Sequence, residues 1–66
     1  MKLTDGQKTH IAFNIKVLLG DAYWLYGQGY CERFEKEVLV RMKNGMTFGS
    51  AETEVWNEWK NGLLSA

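Results

Sequence analysis

Tyr23-Trp24-Leu25-Tyr26 sets four bulky side chains in succession, and no regular backbone hides all four on one face. On a helix they fan through roughly 300°, and on a strand they alternate between two faces. Part of the segment therefore needs cover from a second side, supplied by another element of the chain, a second copy of it, or a different protein. The chain has little cover of its own to offer. Its 66 residues suffice for a single small domain, 1–66, and a chain near that size buries only about 60% of the surface it exposes when unfolded. Cys31 is the only cysteine, so no intramolecular disulfide can staple the fold, and His10 is the only histidine. That usage suits a reducing compartment. The opening Lys2, Thr4, Asp5, Gly6 and Gln7 lack the charged-then-apolar layout of a signal peptide. A cytoplasmic location is the expectation.

Two echoing stretches, Lys43-Asn44-Gly45-Met46 and Lys60-Asn61-Gly62-Leu63, have the composition of helix stops. Glycine just past a helix takes the left-handed conformation at little cost, lysine in the last turn complements the dipole, and the following apolar residue folds back. Asn-Gly is also a strong hairpin signal, so context decides. Before the first stop, Cys31, Phe34, Val38 and Met42 recur at spacings of three, four and four, with Leu39 beside them. That is one apolar helical stripe, and it predicts a helix from about Tyr30 to Lys43. A strand would put Glu32 and Lys36 on its apolar face. Before the second stop, Ser50 suits an N-cap, with Glu52 and Glu54 near the positive end of the dipole. Val55, Trp56, Trp59 and Leu63 then supply the buried stripe of a shorter helix. Thr53 stands where a full capping box wants Glu or Gln.

The first 28 residues support two structures. Thr4 with Gln7 forms a capping box, and the polar stripe Gln7, His10, Asn14, Asp21, Gln28 faces Ile11, Ile15, Leu18, Ala22 and Leu25. A long first helix follows, with Gly20 a natural break. The same residues fit a hairpin, because Ile11, Phe13, Ile15, Val17 and Leu19 alternate, Gly20-Asp21 can turn, and Tyr23 to Tyr26 favour strands. Gly27-Gln28-Gly29 is the flexible joint expected to turn a helical hairpin. The fold class is therefore all-α, a small three-helix bundle, or four helices if the first breaks near Gly20. The alternative is α+β with an N-terminal β-hairpin packed by helices.

Chemistry is sparse. One histidine and one cysteine with twenty residues between them give no metal-ligand spacing, and no cofactor motif is present; Gly27-Gln28-Gly29 lacks the third glycine and the setting of a phosphate loop. Cys31 lies on an apolar stripe, where a thiol is a core side chain rather than a nucleophile. His10 reads as a surface or boundary residue. Glu32, Glu35 and Glu37 alternate with Arg33, Lys36 and Arg41, as on a solvated helix face. No catalytic residue is assigned and no enzyme activity is expected. The apolar run from Ile11 to Tyr26 falls short of the ~20 residues that cross a bilayer and is interrupted by Asn14, Lys16 and Asp21. Eight basic side chains balance eight acidic ones, so no net field draws nucleic acid or an anionic membrane.

What remains is binding. Three each of Phe, Trp and Tyr in so short a chain exceed what a small core absorbs, and interfaces are enriched in Tyr, Trp and Met. The expected function is that of a small accessory protein acting through protein–protein contact, as a regulator or stoichiometric inhibitor and also as a candidate homo-oligomer. Domains this small and poor in chemistry are frequent among accessory proteins of bacteria and their phages. The partner-binding candidates are Tyr23, Trp24, Tyr26 and Tyr30, together with Glu54 and Glu58, whose clustered carboxylates could imitate phosphates. Tyr23 and Tyr26 are expected at the exposed rim, with Phe34, Trp56 and Trp59 covering the other side. The alternative is a small helical nucleic-acid-binding regulator presenting Lys36, Arg41 and Lys43 to a groove.

Overall fold

A computed structural model describes the backbone of residues 2–64 and the side chains of residues 2–62. Three α-helices follow one another: α1 (Asp5–Leu19), α2 (Tyr23–Lys43) and α3 (Phe48–Leu64), with a 3₁₀ turn, Gly20–Ala22, between the first two. The molecule is all-helical, and no strand occurs among the described residues. The alternative of an N-terminal β-hairpin is thereby overturned. Its alternating apolar residues are split by the helix, which buries Ile11 and Ile15 completely while leaving Phe13 and Val17 in solvent.

Local chemistry explains most of the boundaries. Thr4 caps α1 by accepting from the Gln7 amide at 3.1 Å, and the Gln7 side chain accepts from the Thr4 amide at 2.9 Å. This is the capping box predicted from sequence. Gly20 ends α1 at φ 56°, and its amide donates to the Lys16 carbonyl. Gly45 ends α2 at φ 103°. Its amide donates to Met42, and the next amide, that of Met46, reaches back to Arg41. Both bonds of a Schellman stop are therefore present, with half-buried Met46 folded onto the core as the motif requires.

Three expectations are corrected. Gly27-Gln28-Gly29 is not a joint, because α2 runs through it without interruption, and the turn falls instead at Gly20–Ala22. The second stop does not act: α3 continues through Gly62 to Leu64. Asn-Gly after a lysine is permissive of termination, and termination follows only where tertiary contacts reward the turn, as Met46 does at the first copy. Ser50 is not the N-cap of α3. Thr47 takes that place, its hydroxyl accepting from the Ser50 amide at 3.2 Å, so the helix starts earlier and carries Phe48 to the core.

Each helix touches the other two. Their shared core is Leu3, Ile11 and Ile15 from the N-terminal part, Phe34 and Val38 from α2, and Ala51 and Val55 from α3. Phe34 and Val38 were predicted from the periodicity of α2, and half-buried Cys31, Leu39 and Met42 flank them. On α3 the buried stripe includes Val55, with Trp56 and Trp59 half-buried beside it. Leu63, assigned to the same stripe, lies outside the described side chains. No helix of the described residues is long and apolar enough to cross a membrane.

Candidate partner-binding surface

The bulky segment forms the start of α2 rather than the end of α1. Coming out of the 3₁₀ turn, its side chains fan around the helix before α3 can cover them. Trp24 is 83% exposed, Leu25 77% and Tyr26 60%. The internal cover expected from Phe34, Trp56 and Trp59 goes elsewhere. Phe34 is fully buried with Trp59 edge-on against it at 5.2 Å, while Trp56 lines a small cleft with Asn14 and Glu52. Tyr23, expected at the rim, is half-buried, and Leu25, expected to avoid water, stands in it. The reason lies in Gly27. The Tyr23 ring occupies the space a side chain there would need, since a Cβ on Gly27 would fall 2.5 Å from its Cδ2. Lys16 Nζ lies over the same ring at 5.3 Å, and the Trp24 ring meets it edge-on at 5.6 Å.

One turn further along α2, the surface becomes a groove. Leu25, Tyr26, Gly29, Tyr30 and Arg33 line a recess of about 340 Å³. Tyr30 and Arg33 also wall a second recess, of about 250 Å³, completed by Glu58, Trp59 and Gly62 of α3. Tyr30 meets Trp59 edge-on at 5.9 Å, and the Arg33 guanidinium sits over both rings, 5.6 Å from Tyr30 and 5.7 Å from Trp59. Gly29, taken from sequence as part of a hinge, is thus a helical position whose missing side chain opens the first recess.

The carboxylates on this side of the molecule are already engaged. Arg41 donates from Nε to Glu54 at 2.8 Å and from Nη2 to both oxygens of Glu58 at 2.8 and 2.9 Å. The Trp59 indole N–H donates to Glu37 at 2.9 Å. The hydrogen bond to Glu54 is the largest cause holding the Arg41 guanidinium above its ordinary pKa; partial desolvation opposes it, and Glu58 adds to it. Glu54 and Glu58, like charges four residues apart, are joined by one cation from the neighbouring helix. Sequence gave no direct signal for that, because the two partners lie 13 and 17 positions from Arg41.

A second polar cluster was not foreseen. Glu52 is only 8% exposed; it accepts from the His10 Nδ1–H and from the Asn14 amide at 2.9 Å, tying α3 to α1. A signal was present. Glu52 stands one turn before Val55 on an apolar stripe, and a carboxylate there needs partners. His10 and Asn14 belong to the polar stripe already visible on α1. The Phe48 ring lies edge-on to His10 at 6.4 Å. Cys31 takes no part in this cluster; burial first, then Glu35 and Glu32, push its thiol pKa up, which disfavours the thiolate. Among the described residues no three His, Cys, Asp or Glu side chains converge to hold a metal. No known protein family, curated protein or solved structure matches the chain.

Proposed function

We propose that this chain is a small accessory protein that works by binding another protein, as a regulator or stoichiometric inhibitor of the kind common in bacteria and their phages, acting in the cytoplasm. One observation carries the proposal: Trp24, Leu25 and Tyr26, three consecutive large apolar residues, are 83%, 77% and 60% exposed. Single exposed apolar residues are ordinary, whereas a cluster of aromatics is the composition of a binding hot spot. Burying each such side chain contributes about 1.5–3 kcal/mol. Three together approach the entropic cost of association, so this exposed shoulder, Trp24 to Tyr26 at the start of α2, can anchor a contact that neighbouring residues complete.

Glu54 and Glu58 both bond to Arg41, which favours a contact at the shoulder over phosphate mimicry by the acidic face. The same bonds weaken the nucleic-acid alternative, since Arg41 was one of its three basic residues. Sedimentation across micromolar concentrations, paired with capture by the tagged protein, tests the proposal. Trp24→Ala with Leu25→Ala should retain the native melting transition and lose the partner, or lose self-association if the partner is a second copy. A double variant that keeps every interaction of the parent would refute the shoulder as the contact.

A further inference from the structure

We propose that the paired recesses around Arg33 form a docking groove for a partner segment carrying one carboxylate flanked on each side by a large apolar residue. The proposal rests on the protein-binding reading above and specifies its chemistry. Charge complementarity selects the occupant. The chain has two arginines at 33 and 41, and only one is satisfied: Arg41 takes Glu54 and Glu58, with Glu37 close by. Glu58 lines the recess beside Arg33, yet both its oxygens are held by Arg41 Nη2. Glu37, the other nearby acid, accepts from Trp59. Arg33 therefore has no carboxylate partner among the described residues and rests on the faces of Tyr30 and Trp59 instead.

That arrangement prepares the group rather than consuming it. A guanidinium stacks through its faces and donates through its edge, so Arg33 can keep both aromatic contacts while its in-plane N–H groups receive a carboxylate. Arg33 and Tyr30 line both recesses, so the guanidinium is shared between them. One is walled by Leu25, Tyr26 and Tyr30 and opened by Gly29; the other is walled by Tyr30 and Trp59 and opened by Gly62. Among the described residues nothing within 4 Å would obstruct a Cβ at either glycine, so these positions are open to an incoming side chain. An apolar–acidic–apolar segment fills both recesses and pairs the charge in one pose. A basic segment would meet Arg33 with like charge, which is a source of selectivity.

A randomised twelve-residue peptide display library, panned against the whole folded chain, tests the groove. The expected consensus has Asp or Glu between two large apolar residues. Peptides so selected should weaken at least tenfold against Arg33→Gln, shift the Trp59 indole N–H resonance on binding, and be replaced by Lys- or Arg-centred peptides when Arg33→Glu is panned. Arg33 is exposed, and an unchanged helical circular dichroism spectrum of each variant shows that the fold is retained. Selected peptides without an acid, or with affinities indifferent to Arg33→Gln, overturn the groove. If their binding is instead abolished by Trp24→Ala, the shoulder reading survives alone. A library that yields no enriched peptide also overturns the groove, and the shoulder is then judged by its own sedimentation and capture measurements.

Discussion

Two glycines two positions apart in α2 have opposite meanings. Gly27 is buried under the Tyr23 ring, and a Cβ there would meet the ring at 2.5 Å; a Cβ on Gly29 would meet nothing within 4 Å among the described residues. Alanine stabilises a helix interior by about 1 kcal/mol over glycine, whereas overpacking costs about 1–3 kcal/mol. Gly27→Ala should therefore lower stability by ~1 kcal/mol net, while Gly29→Ala should raise it by ~0.5–1 kcal/mol, both read from urea unfolding midpoints. Cys31 offers a second check. With its thiol pKa raised by burial and by Glu35 and Glu32, alkylation by iodoacetamide at mildly alkaline pH should be slower in the native chain than in urea. Equal rates would show that the thiol is neither shielded nor shifted. Because the folded state holds the thiol proton more tightly, any contribution to stability is complete below the unfolded thiol pKa and is lost as pH rises above it.

Between elements, the duplicated Lys-Asn-Gly shows how little a local signal decides. Gly45 sits at φ 103° and closes a Schellman stop, while Gly62 is part of α3 and a Cβ there would meet nothing within 4 Å among the described residues. Alanine at residue 45 should cost about 1 kcal/mol, since an L side chain is strained there. The same change at residue 62 should be neutral or stabilising by up to ~1 kcal/mol. Thermal melts of the two variants should move apart, and movement in the same direction would contradict the difference in conformation. Arg41 makes the electrostatic join between α2 and α3. Its side chain is 19% exposed and bridges two half-exposed glutamates, so Arg41→Met should cost about 1–2 kcal/mol, above the usual value for a single surface pair because two carboxylates share the cation. The cost should shrink as salt is raised, as expected for partly exposed charge. A deficit that salt leaves unchanged would assign Arg41 a packing role instead.

For the molecule as a whole, the geometry separates what holds the fold from what faces outward. The core is drawn from all three helices, and Trp24, Leu25 and Tyr26 contribute nothing to it. Substituting Trp24 and Leu25 together with serine should thus leave the unfolding free energy within about 0.5 kcal/mol of the parent. Tyr23→Ala should destabilise by about 1–2 kcal/mol, because its half-buried ring packs against the core and over Gly27. Chemical denaturation of both variants gives the comparison. Equal losses would mean that the whole segment is structural, and the protein-binding proposal would lose its main support.

Features that depend on near neighbours were legible in the chain before it folded. The Thr4–Gln7 capping box and the apolar stripe through Phe34 and Val38 are written in residues three or four positions apart, and such spacing acts through the helix alone. They favoured the all-helical class, and the burial of Ile11 and Ile15 on one face of α1, with Phe13 and Val17 left in solvent, decided it against the hairpin. Packing between helices set where α1 gives way to α2, because Gly20 and Gly27-Gln28-Gly29 were comparable breaks until Tyr23 packed over Gly27. It also decided the partners of Arg41 and Glu52, which lie on other helices and answer to burial and distance rather than to local propensity. Tyr23-Trp24-Leu25-Tyr26 joins the two levels. Its sequence required cover from a second side, and the packing directed the available aromatics to Phe34 and Tyr30, leaving three of the four residues to solvent.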